Sequence, residues 1–180
     1  MAAAAGPEAR IPAEQTPPTP LTASAPRPKP PVRLLRHGNG APALRLGLGP
    51  GHQPAGAIRQ LQRLFNSASF WAAGRSQPQL RRMLRGSEAA VSAWDGQALV
   101  GFARATSDTL FRAVVWDVVV EEGYQGVGLG RRLVEELLRT PALARAERVY
   151  LMTTNSRGFY ERLGFKANSQ QSLMMVERRP

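Results

Sequence analysis

A glycine-rich turn joins a predicted strand to a predicted helix in the second half of the chain. Residues 113–120 are mostly valine and alanine, as in a buried strand, and residues 129–139 carry apolar side chains at helical spacing. Between them, Gly126, Gly128 and Gly130 let the backbone approach a ligand closely. The start of the following helix favours an anion, so the turn predicts a pyrophosphate site. A glycine turn that serves only tight packing is the alternative interpretation.

The spacing of this turn excludes two common nucleotide-binding motifs. A dinucleotide-binding fingerprint needs glycine where Arg131 stands. No GxxxxGK[ST] phosphate loop occurs anywhere in the chain. The pattern is instead Gln-x-x-Gly-x-Gly, beginning at Gln125.

Strand and helix patterns alternate along the rest of the chain, which predicts an α/β or α+β protein with a mixed sheet. Asp95-Gly96 is a strong hairpin signal between two of the predicted strands. The predicted strands cover residues 43–48, 89–94, 97–106, 113–120, 148–153 and 172–176. The predicted helices lie around residues 58–65, 79–85, 129–139 and 156–163.

Residues 1–42 are predicted to form a disordered basic extension, and residues 43–180 a single folded domain. Nine of the fifteen prolines lie between Pro7 and Pro31, and such a segment buries too little apolar surface to fold. The net charge is +11, and residues 15–87 contain eleven Lys or Arg and no Asp or Glu. This basic block either attracts a polyanionic partner or only keeps the chain soluble and draws in anionic ligands.

Composition excludes several kinds of chemistry. Cysteine is absent, so the chain has neither disulfides nor a cysteine-bound acyl intermediate. No His/Cys/Asp/Glu cluster has metal-ligand spacing, and no metal is predicted. No stretch approaches the roughly 18 apolar residues of a membrane span. His37 and His52 stand among prolines and glycines and are interpreted as surface loop residues.

The glycine turn and a second motif together resemble the GCN5-related N-acetyltransferase (GNAT) superfamily. Residues 158–165, Gly-Phe-Tyr-Glu-Arg-Leu-Gly-Phe, are similar to the family's closing FYxxLGF signature. Residues 100–108 and 116–120 resemble the cyanobacterial and plastid branch, which includes the plant-type serotonin N-acetyltransferases. The resemblance implies acetyl-CoA as co-substrate and the GNAT fold. That fold is a mixed, mostly antiparallel sheet of about six to seven strands with helices on both faces.

The resemblance assigns acetyl-CoA to the glycine turn and to the strand before it. In the family this strand is bulged and splays from its neighbour, and an N–H near Val118 or Val119 would face the thioester oxygen. Many relatives have Asn where Thr153 stands, so Asn155 either replaces that contact or caps the next helix. The residues implied to bind acetyl-CoA are Val118, Val119, Val120, Gln125, Gly126, Val127, Gly128, Leu129, Gly130, Arg131, Asn155 and Tyr160.

Two side chains are candidates for proton transfer. Tyr160 is predicted to be the general acid, because its neutral hydroxyl can protonate a departing thiolate. A tyrosine packed on the sheet is the alternative. Asp117 is a carboxylate among valines, and it either takes a proton from the attacking amine or forms a structural ion pair with Arg104.

The predicted function is acetyl transfer from acetyl-CoA directly to a primary amine. The branch resemblance favours an arylalkylamine such as serotonin or tryptamine, with protein lysine or N-terminal amines as the alternative. An acetyl-CoA sensor or a nucleic-acid- or partner-binding module is the alternative from another class. The chain is expected in the cytoplasm, or in the plastid stroma if the extension is a transit peptide. No membrane or nucleic-acid partner is expected, and a homodimer is left open.

Overall fold

The computed structural model describes residues 31–176, and its centre is a five-stranded mixed sheet. The strands follow one another across the sheet in chain order. Neighbouring strands are antiparallel except the last two, which are parallel. The strands are β1 (Arg33–His37), β2 (Ala89–Asp95), β3 (Ala98–Ser107), β4 (Arg112–Val120) and β5 (Arg148–Leu151). The predicted mixed α/β architecture is therefore confirmed, with fewer strands than expected.

Helices cover both faces of this sheet. They are α1 (Pro42–Arg45), α2 (Ala57–Ala68), α3 (Gln77–Arg85), α4 (Leu129–Leu138), α5 (Pro141–Ala144) and α6 (Arg157–Glu161). The first three pack on one face around Trp94 and Phe102. Helices α4 and α5 pack on the other face, around Val91 and Ala103. Within residues 31–176 no helix has both the length and the apolar character needed to cross a membrane.

The helices form where their sequences supply an apolar face and a start signal. Ile58, Leu61 and Leu64 lie on the buried side of α2, as their spacing predicts. Helix α3 begins at a capping box in which Ser76 and Gln79 exchange side-chain and backbone hydrogen bonds. These local signals explain why α3, α4, α6 and the strands β2 to β5 lie within two residues of their predicted ends, whereas α2 continues three residues further than predicted.

The strand predicted at residues 43–48 is wrong, because this segment contains helix α1 and a turn. Pro42 occupies the first helical turn, where its fixed φ is favourable and its missing N–H costs nothing. Leu44 is buried, whereas Leu46 is exposed. The apolar alternation that suggested a strand therefore reflects one core side chain and one surface side chain.

The predicted boundary at residue 42 is placed too late. Strand β1 lies inside the segment predicted as a disordered extension and pairs with β2 over all five of its residues. His37 consequently lies in a strand rather than in a surface loop. The prediction for residues 1–30 lies outside the described residues.

The last predicted strand, residues 172–176, is not formed. Among the described residues this segment has no strand partner, and its apolar side chains from Leu173 to Val176 are exposed. A strand requires hydrogen bonds to a neighbour, and apolar alternation alone does not supply them.

Candidate active site

A groove opens where β4 separates from β5. The two strands pair only from Arg112 to Val115 on the β4 side, so residues 116–120 have no strand partner on that edge among the described residues. A cavity of about 560 Å³ lies beside this open edge. It is lined by Ala68, Trp71, Val118, Val119, Val120, Gln125, Gly126, Gly128, Gly130, Arg131, Ser156, Phe159, Tyr160, Arg162 and Leu163. The expected splay of the strand before the glycine turn is thus present.

The bulge in β4 lies at Asp117 and Val118, a position that the sequence did not locate. Opposite Ala103 of β3, β4 has two residues instead of one, because Phe102 pairs with Val119 and Arg104 with Trp116. Asp117 has a φ of +50°, which is unusual for a residue with a side chain. The extra residue redirects the backbone just before the three valines that line the groove.

The side chain of Asp117 is buried in ion pairs. Its Oδ2 accepts a hydrogen bond from Nε of Arg104 at 2.6 Å, and its Oδ1 accepts one from Nη1 of Arg75 at 3.2 Å. Only 5% of the Asp117 side chain is exposed. The pair with Arg104 that the sequence offered as an alternative is therefore present, and Arg75 is an additional partner.

The glycine turn forms a cradle of free N–H groups. Gly126 and Gly128 have φ values of +75° and +82°, and a Cβ on either would project into open space. No acceptor within residues 31–176 binds the backbone N–H groups of residues 126–131. The amide of Gln125 donates to the carbonyl of Val120 and so ties the turn to the end of β4. This arrangement suits an anionic group at the start of α4.

Tyr160 lies on the opposite wall of the groove, in α6. Its ring makes edge contacts with Phe159 and Phe165, at centroid distances of 4.8 and 5.9 Å. Burial raises the pKa of its hydroxyl, because the charged phenolate is disfavoured away from water. Tyr160 is therefore held as a neutral phenol beside the cavity, the form that can donate a proton.

Three of the residues predicted to bind acetyl-CoA have side chains that do not line the groove. Asn155 is exposed and does not line the cavity, and the N–H of Ser156 is bound by the hydroxyl of Thr153 rather than by Asn155. The side chain of Val127 is exposed, and that of Leu129 is buried in the core. Neither Val127 nor Leu129 lines the cavity, so any contact with a ligand in the groove would come from their main chain.

Sequence reasoning missed the aromatic wall contributed by the loop between α2 and α3. Trp71 lines the groove with 51% of its surface exposed, and Phe70 packs edge-on against it at 5.1 Å. Two adjacent aromatic residues in a surface loop were the available signal, because a soluble loop rarely exposes both without a reason. Trp94, by contrast, is fully buried, and its indole N–H donates to Ser92.

A split sheet beside a glycine turn defines an α/β protein shaped to receive an extended, phosphate-bearing ligand. The chain belongs to the acetyltransferase (GNAT) family, whose model matches residues 58–165. Members of this family use acetyl-CoA as co-substrate, and the free N–H groups and open groove described above fit such a molecule. The resemblance inferred from the two sequence motifs is confirmed.

Curated relatives include plant chloroplast proteins, in agreement with the expected branch. Serotonin N-acetyltransferase 2, a chloroplastic protein of Oryza sativa subsp. japonica, is 41% identical over 97 residues, which are 51% of this chain and 48% of that protein. Histone acetyltransferase TAP1 of Glycine max is 45% identical over 73 residues, which are 40% of this chain and 32% of that protein. The chain thus spans about a third to a half of the length of these relatives.

Solved structures support the fold. A GNAT family acetyltransferase from Streptococcus pneumoniae superposes with a TM-score of 0.61 at 22% identity, covering 83% of this chain and 99% of that one. An acetyltransferase from Trypanosoma brucei gives a TM-score of 0.59 at 20% identity, covering 81% of this chain and 100% of that one. At these identities the likeness concerns the fold alone.

Proposed function

We propose that this protein transfers an acetyl group from acetyl-CoA directly to a primary amine, with an arylalkylamine such as serotonin or tryptamine as the favoured acceptor. One observation carries the proposal. A single groove brings together the free N–H groups of the glycine turn, the open edge of β4 and the hydroxyl-bearing ring of Tyr160. Each of these three parts meets a different need of acetyl transfer.

The two main-chain parts of the groove bind and polarise the co-substrate. Acetyl-CoA supplies the acetyl group as a thioester. The N–H groups of residues 126–131 would hold its pyrophosphate, and the open edge at Val118 to Val120 would bond its pantetheine arm. An N–H at the bulge, near Val118 or Val119, would stabilise negative charge on the carbonyl oxygen.

Proton transfer completes the reaction. The amine nitrogen bonds to the carbonyl carbon, the carbon–sulfur bond breaks, and the thiolate takes the hydroxyl proton of Tyr160. The amine also loses a proton, and the sequence offered Asp117 either as its acceptor or as a structural ion pair. Both oxygens of Asp117 already bind guanidinium groups, which favours its ion-pair role and a proton path through water.

The aromatic wall favours an acceptor with a ring. Trp71 is half exposed inside the groove, and an aromatic amine would stack on it at a gain of about 1 kcal/mol. The name of the rice relative supports this acceptor class. The soybean relative is named a histone acetyltransferase, which keeps protein lysine as the second candidate.

The relatives also bear on where the protein acts. Several of them are named as chloroplastic proteins of Arabidopsis thaliana and rice. We propose the plastid as its compartment, with the cytoplasm as the alternative.

The experiment that tests the function is a free-thiol release assay with acetyl-CoA and a panel of amines. The panel holds serotonin, tryptamine, spermidine, free lysine and short lysine peptides. Turnover with the indole amines, reduced by Trp71→Ala but not by Phe111→Ala, supports the arylalkylamine proposal. Phe111 is the matched control because it is an exposed aromatic residue outside the groove lining. Turnover with peptides alone moves the acceptor to protein amines.

A further inference from the structure

The loop of residues 69–76, between α2 and α3, runs along the open edge of β4. Near one end of the loop, Phe70 lines a shallow pocket together with Glu122 and Gln125, beyond the end of β4. Near its other end, Arg75 reaches Asp117 at the bulge. Trp71 lies between these two points and lines the groove. The position of this loop therefore decides where the aromatic wall stands relative to the bulge.

Two side chains of α2, the helix before the loop, hold it by hydrogen bonds. The side chain of Asn66 accepts a hydrogen bond from the N–H of Gly74, and the side chain of Gln62 donates to the carbonyl of Arg75. Both Asn66 and Gln62 belong to α2. Among the polar contacts of the described residues, the Arg75–Asp117 pair is the one that attaches this loop to β4.

Arg75 is not needed to neutralise the buried carboxylate. Asp117 already pairs with Arg104, which is 14% exposed and lies on the neighbouring strand at a shorter distance. About a third of the Arg75 side chain is exposed. Its guanidinium carbon also lies over the ring of Phe65, 5.5 Å from the ring centroid. Loss of Arg75 would leave a neutral pair in the sheet, whereas loss of Asp117 would leave the buried Arg104 unpaired. The second guanidinium thus has a role other than charge balance.

We propose that Arg75 and Asp117 are positioning residues that attach loop 69–76 to the β4 bulge and hold Trp71 as the wall for the acceptor amine. This inference rests on the proposed acetyl transfer. The pair works across two layers of the molecule, because Arg75 comes from the helical layer and Asp117 from the sheet. Its strength depends on partial burial, which keeps the two charges from being screened as a surface pair is.

The test compares wild type with Arg75→Gln, Arg75→Lys and the control Arg36→Gln. Arg36 pairs with Glu136 of α4, outside the groove lining. Arg75→Gln should raise KM for tryptamine, or for a lysine peptide if that is the substrate, about tenfold. Its kcat and its KM for acetyl-CoA should stay within about threefold, because neither the glycine turn nor Tyr160 is changed. Arg75→Lys should restore most of the amine affinity, and Arg36→Gln should leave it unaltered.

Hydrogen exchange supplies a readout that does not depend on turnover. In Arg75→Gln, the peptide covering residues 69–76 should exchange faster than in wild type, while the strand peptides keep their rates. Unchanged exchange in this loop contradicts the proposal, and so does faster exchange with an unchanged KM for the amine. A parallel loss of acetyl-CoA affinity also contradicts it, because the loop would then be a wall for the co-substrate.

A wild type that binds acetyl-CoA but acetylates no amine contradicts the proposed function, and the exchange measurement then tests the attachment of the loop by itself.

Asp117→Asn separates the positioning role from the role of a base. A positioning residue leaves the acidic limb of the pH–rate profile in place and raises KM for the amine. Loss of the acidic limb returns Asp117 to the role of base and contradicts its positioning role.

Discussion

Tyr160 offers the most direct test of the chemistry at the level of one residue. Tyr160→Phe keeps the ring contacts with Phe159 and Phe165 and removes only the hydroxyl. We expect kcat to fall about 100-fold, the usual contribution of a positioned acid, with little change in acetyl-CoA binding. Thiol release and calorimetry measure the two quantities. Equal activity of the variant would show that another group protonates the thiolate.

The pH dependence of Tyr160 follows from its burial. Because its pKa is raised, the hydroxyl stays protonated to a higher pH than that of an exposed tyrosine. We therefore expect the alkaline decline of kcat to begin above the ordinary tyrosine range, and to disappear in Tyr160→Phe. A decline that is identical in the variant would belong to a different group.

The third prediction concerns His37 and the stability of the protein. Burial lowers the pKa of His37 from 6.5 to about 4, and its Nε2 lies 2.7 Å from the hydroxyl of Ser92. Between these two pH values the unfolded chain binds a proton that the folded chain does not, so stability falls as the pH falls. The free energy of unfolding should drop by about 2 kcal/mol from pH 7 to pH 5.

Urea unfolding at both pH values checks the stability prediction. His37→Gln should remove most of this pH dependence, and His52→Gln should reduce it only slightly, because the charge of His52 lowers the pKa of His37 less than burial does. A slope that persists in His37→Gln would assign the effect to other groups.

Asp117 and Asn155 show the limit of predictions made for single residues. A carboxylate among valines correctly signalled a special environment and the pair with Arg104, but the second partner, Arg75, comes from a distant loop. The sequence leaves open whether Asn155 contacts the co-substrate or caps the helix that follows it. Its side chain lies outside the cavity, because the turn before α6 directs Thr153 to the backbone instead.

At the level of elements, the fourth prediction concerns the glycine turn. Gly126→Ala forces a residue with a Cβ to a φ of +75°, at a cost of about 1 kcal/mol, and shifts the N–H groups that would bind pyrophosphate. Acetyl-CoA affinity should fall about tenfold or more by calorimetry. Gly96→Ala is the matched control, since Gly96 has a φ of +56° and open space in the β2–β3 hairpin. Equal affinity in both variants would argue against a pyrophosphate site.

Elements were predictable where a local signal decided the structure. The hairpin at Asp95-Gly96, the capped helix α3 and the strand–turn–helix unit all have such signals. Strand β1 was not predicted because its five residues lie next to prolines and carry charges, so they give no strand pattern of their own. They form a strand only by pairing with β2. The strand at residues 172–176 was predicted from alternation alone and has no partner among the described residues.

At the level of the whole molecule, the fifth prediction concerns β1. Removal of residues 1–30 leaves every described contact in place, so turnover and stability should match the full chain. Removal of residues 1–42 also deletes β1, exposes the edge of β2 and removes the half-buried Leu34 and Leu35. The loss should be roughly 3 kcal/mol or more, measured by urea unfolding. Equal stability of the two truncations would mean that β1 contributes nothing to the domain.

The sequence by itself determined the strand, the glycine turn and the helix that follows, and with them the family. Each of these features depends on local sequence. Glycine allows positive φ, apolar residues at helical spacing predict a helix, and the N-terminus of a helix favours an anion. The tertiary structure alone decided that Arg75 is the second partner of Asp117 and that Trp71 lines the groove. Arg75 stands 42 residues before Asp117 in the chain, and the bulge that brings them together exists only once β3 and β4 pair and α2 packs on them.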